Sequence, residues 1–242
     1  MNRVKIKICG LMREEDIEMC VNEGVDIIGV VVEYPVAVPW NMDRERAKEL
    51  IEHFRDYAAL EDSSSKICIV TGGDSDKIIE LGRLLKPDYI QMHYKETAED
   101  VRTVSEALRD IGTEIIKTIP NDAKEMERQS REGSPGKCGR TFQEAGARIL
   151  LVDARGPENA AGSSSLLDAE LYHKVRRMAD IPVMAAGGIT GENIAEVLNT
   201  ICPDMIDIMT GVEESHGVKS YEKLVGIMNK IRQSDSISME LL

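Results

Sequence analysis

Eight short runs of β-branched and other apolar residues recur along the 242-residue chain, and longer segments with helical periodicity separate them. This alternation constrains the fold more than any other feature, because it is typical of strand–helix units around a parallel sheet. Division of the chain length by eight gives about 30 residues per unit, the size of one strand with its crossover helix. The predicted strands span residues 4–9, 27–33, 66–70, 89–93, 114–118, 149–153, 182–186 and 205–209.

Eight consecutive units predict an α/β protein, a closed (β/α)8 TIM barrel that forms a single domain over residues 1–233. Residues 234–242 carry no signal for a packing partner, so we expect a flexible C-terminal tail there. The polar segment 121–148 contains a stretch rich in glycine, serine and proline, residues 133–139, which predicts an exposed loop between two helical pieces. Cys138 lies in that stretch and is therefore expected to be an exposed thiol.

The charge and cysteine content restrict the partners. A net charge of -13 and a pI near 4.9 argue against nucleic acid or an anionic membrane surface, because both require clustered lysine and arginine. An anionic small molecule remains compatible, since a few local donors can hold a phosphate. The five cysteines lack metal-ligand spacing, and no targeting segment or membrane-spanning apolar run is evident. We expect a cytoplasmic protein without a metal site, either a monomer or a homodimer.

Active sites of such barrels lie at the carboxyl ends of the strands, so the residues delivered there are the candidates for chemistry. The first predicted strand delivers Cys9, the fourth delivers Gln91 and His93, and the sixth delivers Asp153, with Arg155 in the following loop. A thiol and a carboxyl group suit base and acid roles, whereas Gln91, His93 and Arg155 can bind substrate. The alternatives are a buried Cys9 that acts only as a small hydrophobe and an Asp153 that caps a helix.

Glycine-bearing loops follow the seventh and eighth predicted strands, the pair that most often builds a phosphate site in these barrels. Gly187 and Gly188 follow the seventh strand, and Thr210 and Gly211 follow the eighth. Glycine allows the backbone N–H groups to approach an anion closely and to adopt positive φ. The two loops together predict a phosphate-binding site formed by these four residues, and hence a small-molecule phosphosugar as the partner.

These motifs, in this order, resemble the phosphoribosylanthranilate isomerase family of tryptophan biosynthesis. The resemblance implies an Amadori rearrangement of an N-phosphoribosyl arylamine to a 1-amino-1-deoxyribulose phosphate, without metal or organic cofactor. It implies that Asp153 is the general acid that opens the furanose ring and that Cys9 is the general base that removes the C2′ proton. The matching pieces are residues 7–10, 24–29, 91–93, 151–153 and 186–189, with Asp207 and residues 211–213.

The chain departs from the family pattern in its recognition loops. Family members usually carry a Pro-x-Ser-x-Arg stretch after the second strand, whose arginine meets the anthranilate carboxylate, but residues 34–40 contain no arginine. The loop after the sixth strand also lacks the lysine and the aromatic residue typical of the family, and Met209-Thr210-Gly211 replaces Ser-Ser-Gly. Val36, Val38 and Trp40 therefore predict a more apolar lining at this end of the site.

Several readings of the function remain open at the level of the sequence. The chain can be a true isomerase that recruits Arg155 or Arg44 to the carboxylate, or an isomerase of a related phosphosugar. A lyase or aldolase that uses the phosphate site would be favoured by a lysine poised for a Schiff base, and Lys7 and Lys117 are the candidates. A non-catalytic phosphosugar-binding or regulatory paralogue is the third reading, and it gains weight only if Cys9 and Asp153 do not face one cavity.

Overall fold

Eight parallel strands close into a barrel in the computed structural model, which describes residues 3–154 and 167–240, with side chains up to residue 234. The barrel closes because β1 pairs in parallel with both β2 and β9. The predicted (β/α)8 TIM barrel is therefore confirmed. The barrel strands are β1 (Lys5–Ile8), β2 (Ile27–Val32), β4 (Lys66–Thr71), β5 (Tyr89–Met92), β6 (Glu114–Ile119), β7 (Ala147–Asp153), β8 (Val183–Ala186) and β9 (Met205–Ile208).

In the described residues, three further short strands lie outside this barrel, in the loops at its carboxyl face. Strand β3 (Asn41–Met42) pairs with the end of β2, and β10 (Glu213–Ser215) pairs with β11 (Val218–Lys219) in an antiparallel hairpin. A 3₁₀ turn (Thr210–Val212) connects β9 to this hairpin. The hairpin thus follows directly on the predicted phosphate loop.

Helices surround the strands and turn their apolar faces towards them. Five of the described helices begin at a residue whose side chain accepts a hydrogen bond from a free backbone N–H group, and at one of these starts Thr97 and Asp100 form a reciprocal capping box. None of the helices in the described part of the chain is long and apolar enough to cross a membrane. The helices are α1 (Glu14–Asn22), α2 (Arg44–Leu60), α3 (Ser75–Leu85), α4 (Ala98–Leu108), α5 (Ala123–Ser130), α6 (Pro135–Glu144), α7 (Ala169–Arg176), α8 (Ile194–Ile201) and α9 (Tyr221–Glu240).

Alternation along the strands divides the apolar residues into two layers. In β1, Ile6 and Ile8 belong to the large cluster between barrel and helices, whereas Lys7 and Cys9 point into the barrel. A second buried cluster fills the barrel interior below the site, so the interior is a packed core rather than a pore. Its members are Ile27, Cys68, Ile116, Ile149, Leu151, Met184, Ala186 and Met205.

The expectation of an exposed loop at residues 133–139 was wrong. Pro135 begins helix α6, because a proline at the first helical position loses no intrahelical hydrogen bond. Gly136 and Gly139 serve close packing instead of a turn, since a Cβ at Gly136 would lie 2.7 Å from the carbonyl oxygen of Lys174. Cys138 is fully buried on the inner face of α6, and burial raises its pKa to about 11. The two helical pieces expected around this stretch are α5 and α6.

The last helix passes the expected domain boundary. Helix α9 buries Leu224, Ile227 and Ile231 and continues past residue 233 to Glu240. The flexibility of residues 234–242 stays a prediction.

The burial of the cysteines predicts their reactivity. Cys202 is exposed at the end of α8, whereas Cys9, Cys20, Cys68 and Cys138 are buried. We expect a thiol reagent to label one cysteine per native chain rapidly and the others slowly, with the Cys202→Ser variant losing the rapid phase. Rapid labelling of Cys138 in that variant, measured by peptide mass spectrometry, would show that α6 is not packed as described.

Candidate active site

A cavity lies at the carboxyl ends of the barrel strands and brings together four of the residues predicted from the sequence. Its empty volume is about 530 Å³, part of which is open to solvent. Cys9 and Asp153 face this cavity together, with Gln91 and His93 beside them, so the condition for the non-catalytic reading is not met. The lining consists of Cys9, Val31, Tyr34, Val38, Trp40, Val70, Gln91, His93, Asp153, Ala186, Asp207 and Met209.

Cys9 occupies the position directly after β1. Its backbone N–H donates to the carbonyl oxygen of Ile208, 2.9 Å away, and Gly10 turns the chain away from the barrel with a φ of +71°. The side chain is 4 % exposed. Burial raises the pKa of the thiol, and the charge of Lys7 counteracts part of this increase. The raised pKa favours the neutral thiol, and a base role requires a further positive charge close to the sulfur of Cys9.

Lys7 and Asp207 form a buried ion pair inside the barrel below Cys9. Their strands pair so that the two residues are direct neighbours, and Lys7 Nζ lies 2.8 Å from Asp207 Oδ2. Burial is the largest single influence on the pKa of Lys7 and lowers it, but the charge and hydrogen bond of Asp207, together with the nearby thiols of Cys9 and Cys68, raise the pKa above its usual value. The other carboxylate oxygen, Asp207 Oδ1, is buried without a hydrogen-bond partner.

The ion pairs of the two candidate Schiff-base lysines argue against that chemistry. Lys7 is held protonated by Asp207. Lys117 points out of the barrel towards Phe142 of α6, and its Nζ lies 3.0 Å from Glu96 Oε2. Both lysines are fully buried, and neither lines the cavity. Neither lysine therefore presents its amine to a carbonyl substrate in the cavity.

His93 connects the polar side chains on the β5–β7 side of the cavity. Its Nδ1 lies 3.2 Å from Gln91 Nε2 and 2.8 Å from Thr118 Oγ1. The amide nitrogen of Gln91 can only donate, so Nδ1 accepts and the proton resides on Nε2. That Nε2 faces Asp153 Oδ2 at 3.9 Å. Burial lowers the pKa of His93 despite the nearby charge of Asp153, so the imidazole is neutral.

The two glycine-bearing loops lie next to each other at the rim of the cavity. Gly187 and Gly188 adopt φ of +108° and +62°, conformations that glycine tolerates best. A Cβ at Gly211 would overlap the carbonyl oxygen of Ile189, so the loops after β8 and β9 are in direct backbone contact. Thr210 is exposed between them and the solvent. The structure thus brings the four predicted phosphate-binding residues together, beside Ala186 and Met209 of the lining.

Comparison with known proteins identifies the family. A family model described as "PRAI: N-(5'phosphoribosyl)anthranilate (PRA) isomerase" matches residues 6–230. The chain belongs to this isomerase family. The N-(5'-phosphoribosyl)anthranilate isomerase of Rhodospirillum rubrum is 29 % identical, over 96 % of this chain and 100 % of that protein. The corresponding protein of Haloferax volcanii is 28 % identical, over 90 % of this chain and 88 % of its own. The resemblance inferred from the motifs is confirmed.

Solved structures of phosphoribosylanthranilate isomerases share the fold. The enzyme of Thermotoga maritima superposes with a TM-score of 0.73 at 22 % identity, over 95 % of this chain and 99 % of that chain. The enzyme of Thermus thermophilus superposes with a TM-score of 0.71 at 24 % identity, over the same fractions. A thiamine phosphate pyrophosphorylase of Pyrococcus furiosus also superposes, with a TM-score of 0.65. The fold alone therefore does not distinguish isomerases from other phosphate-binding barrels.

Two arginines were suggested to replace the missing family arginine, and the structure describes only one of them, Arg44. Arg44 is committed elsewhere, because its guanidinium lies 2.6 Å from Glu33 and 2.5 Å from Glu80. It does not line the cavity, so the suggestion that it meets a substrate carboxylate was wrong. Arg155 lies outside the described residues, and its substrate-binding role stays a prediction.

Two groups at the site were not predicted from the sequence. Tyr34 lines the cavity and donates its hydroxyl proton to the carbonyl oxygen of His93, 2.9 Å away. Thr118, at the inward-facing end of β6, contacts His93 Nδ1. Strand alternation was the available signal for Thr118, since it shares its face with the inward-pointing Ile116.

The neutral state of His93 predicts a pH dependence of stability. Because burial lowers the pKa in the folded state, the contribution is present above the pKa of the unfolded chain, about 6.5, and is lost as the pH falls below it. We expect the free energy of unfolding in urea to decrease more from pH 7.5 to pH 5.5 in the wild type than in His93→Gln. Equal decreases in the two proteins would contradict a lowered pKa of His93.

Proposed function

We propose that this chain catalyses the Amadori rearrangement of N-(5'-phosphoribosyl)anthranilate, with Asp153 as general acid and Cys9 as general base. The observation that carries the proposal is the arrangement of the strand ends. Asp153 ends β7 and Cys9 follows β1, and the two strands between them, β8 and β9, end in the glycine-bearing loops. A phosphate held by those loops would place the attached ribose between the thiol and the carboxyl group.

The reaction needs one proton donor and one proton acceptor. Asp153 would protonate the ring oxygen, which opens the furanose and leaves an iminium at C1′. Cys9 would then remove the C2′ proton, and the resulting enolamine would tautomerise to the ketone with no net change in atoms. The iminium charge, together with Lys7, would supply the positive potential that the buried thiol requires to ionise. The proposed cycle uses only groups of the chain and its substrate.

The remaining polar atoms of the cavity suit a sugar. Gln91 Oε1 and Asp207 Oδ1 are buried and have no hydrogen-bond partner among the described residues. Both oxygens accept hydrogen bonds, so the hydroxyl groups of a ribose would satisfy them. We assign Gln91 and His93 to substrate binding on this basis, and Gly187, Gly188, Thr210 and Gly211 to the phosphate. Arg155 is assigned to substrate binding only through its place in the loop after β7.

A second candidate is the same rearrangement on another phosphoribosyl amine. It is favoured by the described lining of the cavity, which contains no lysine or arginine that could pair with a carboxylate. The lyase and aldolase readings lose support, because Lys7 and Lys117 are held in ion pairs. We expect the protein to act in the cytoplasm, as a monomer or homodimer, without nucleic acid or membrane.

Complementation tests the anthranilate assignment. The wild type is expected to restore growth without tryptophan to a strain that lacks this isomerase. We expect Cys9→Ser and Asp153→Asn to lower kcat on the order of 10²–10⁴-fold, because each removes a proton-transfer group. Cys138→Ala, which removes a buried thiol outside the cavity, serves as the matched control. Failure of soluble wild-type protein to complement would refute the anthranilate substrate and favour the second candidate.

Phosphate binding can be tested without turnover. Inorganic phosphate at about 100 times its Kd is expected to stabilise the folded state by about 2.7 kcal/mol, which raises the Tm by several degrees. Thr210→Asp should abolish this increase through like-charge repulsion, whereas Thr210→Ser should retain it. Sodium chloride at matched ionic strength is the control. An unchanged Tm at tens of millimolar phosphate in the wild type would contradict the assignment of the two loops.

A further inference from the structure

Trp40, the single tryptophan of the chain, forms a wall of the cavity beside Cys9. Its side chain is fully buried. A Cβ added to Gly10 would lie 2.9 Å from Trp40 Cδ1, so the indole packs directly on the backbone that follows Cys9. The ring thus stands next to the proposed base, on the side of the cavity formed by the loop after β2.

A buried carboxylate fixes the indole in this position. Trp40 Nε1 donates to Glu213 Oε1 at 2.6 Å. The same oxygen accepts from Lys219 Nζ at 2.9 Å and from the backbone N–H of Gly217 at 3.2 Å. Lys219 Nζ also donates to the carbonyl oxygen of Met209, 3.2 Å away. The side chains of Glu213 and Lys219 are at most 4 % exposed, so this cluster is a rigid and desolvated unit.

The cluster of Trp40, Glu213 and Lys219 also contacts the phosphate loop. Glu213 directly follows the 3₁₀ turn Thr210–Val212, which contains the residues assigned to the phosphate. Lys219 holds both the carboxylate of Glu213 and the carbonyl group of Met209, the residue before that turn. One carboxylate therefore joins the indole wall to both ends of the phosphate loop.

The phosphate and the aryl group of a phosphoribosyl arylamine would lie at opposite ends of the cavity, at the phosphate loop and near Trp40. With the phosphate between β8 and β9 and the ribose between Asp153 and Cys9, the aryl group would face the rest of the cavity. That part is formed by Val31, Val38 and Trp40. The indole N–H is committed to Glu213, and the ring is fully buried in one cluster with Cys9 and Val31, so Trp40 supports this end of the cavity from behind.

We propose that Trp40 is a positioning residue that packs in one buried cluster with Cys9 and Val31 behind the aryl end of the cavity, and that Glu213 and Lys219 hold it and couple it to the phosphate loop. This inference rests on the proposed function, since it takes the substrate to be a phosphoribosyl arylamine. Through this link, phosphate bound at the loop changes the surroundings of the indole.

Kinetics test the positioning role. Trp40→Leu is expected to raise the KM for N-(5'-phosphoribosyl)anthranilate roughly tenfold, with kcat changed less than about threefold, because the wall at the aryl end loses its support while the proton-transfer groups stay. Trp40→Phe, which keeps a ring, should raise the KM less than about threefold. The inhibition constant of inorganic phosphate should stay within about twofold in both variants, a separation that general destabilisation would not produce. A normal KM in Trp40→Leu would overturn the proposal.

Fluorescence tests the coupling without turnover, so it also decides the inference if anthranilate is not the substrate. Because Trp40 is the single tryptophan, its emission reports on this wall alone. Titration of the wild type with inorganic phosphate should change the emission saturably, with the midpoint that calorimetry gives for binding. Phosphate that binds without changing the emission would overturn the coupling. Phosphate that does not bind would refute the phosphate site of the proposed function, and the coupling with it.

A variant of the carboxylate identifies the link. Glu213→Gln keeps an acceptor for the indole N–H but removes the charge that holds Lys219. We expect phosphate still to bind and the emission change to shrink by more than half. An emission change of full size in this variant would exclude Glu213 as the link. If Glu213→Gln does not fold, the wild-type titration and the Trp40 variants decide the proposal.

Discussion

The buried ion pair between Lys7 and Asp207 is the interaction on which the site depends. It links the strands that close the barrel, and its carboxylate, Asp207, lines the cavity together with Cys9. Removal of one partner from a buried pair typically costs about 3–5 kcal/mol, because the remaining charge is left uncompensated. The pair also keeps a positive charge next to a thiol that burial would otherwise hold strongly protonated. The Lys7–Asp207 ion pair therefore contributes both to barrel closure and to the ionisation of Cys9.

The charges around this pair distinguish the two proposed proton-transfer groups from the other polar residues of the cavity. The ion pair with Lys7 compensates the charge of Asp207, and His93 is neutral because burial lowers its pKa. Asp153 and Cys9 are then the groups of the described cavity left to exchange protons with a substrate. An imidazole with its proton on Nε2 faces Asp153 and can orient the carboxyl group without competing for the role of base. The strands hold these groups at fixed positions, so the arrangement exists before a ligand binds.

The sequence predicted the barrel and much of the site because both follow from local patterns. Each barrel strand was predicted to within about two residues, and strand alternation at the carboxyl ends placed Cys9 and Asp153 in one cavity. Helix α6 was missed because proline and glycine indicate a turn locally, although here they serve a helix start and close packing. The contact between Trp40 and Glu213 joins residues 173 positions apart, and no local pattern encodes such a contact.

This chain matches its family at the strand ends and departs from it in the loops, and the contacts of the two kinds of segment explain why. Residues on strand ends are constrained by barrel closure, so Cys9 and Asp153 match the family pattern. The segment 34–40 is held instead by side chains: Arg44 binds Glu33 at its start, and Glu213 binds Trp40 at its end. A loop fixed at both ends by such contacts can exchange its central residues without disturbing the barrel. Substrate selectivity can therefore change in this loop while the proton-transfer groups remain in place.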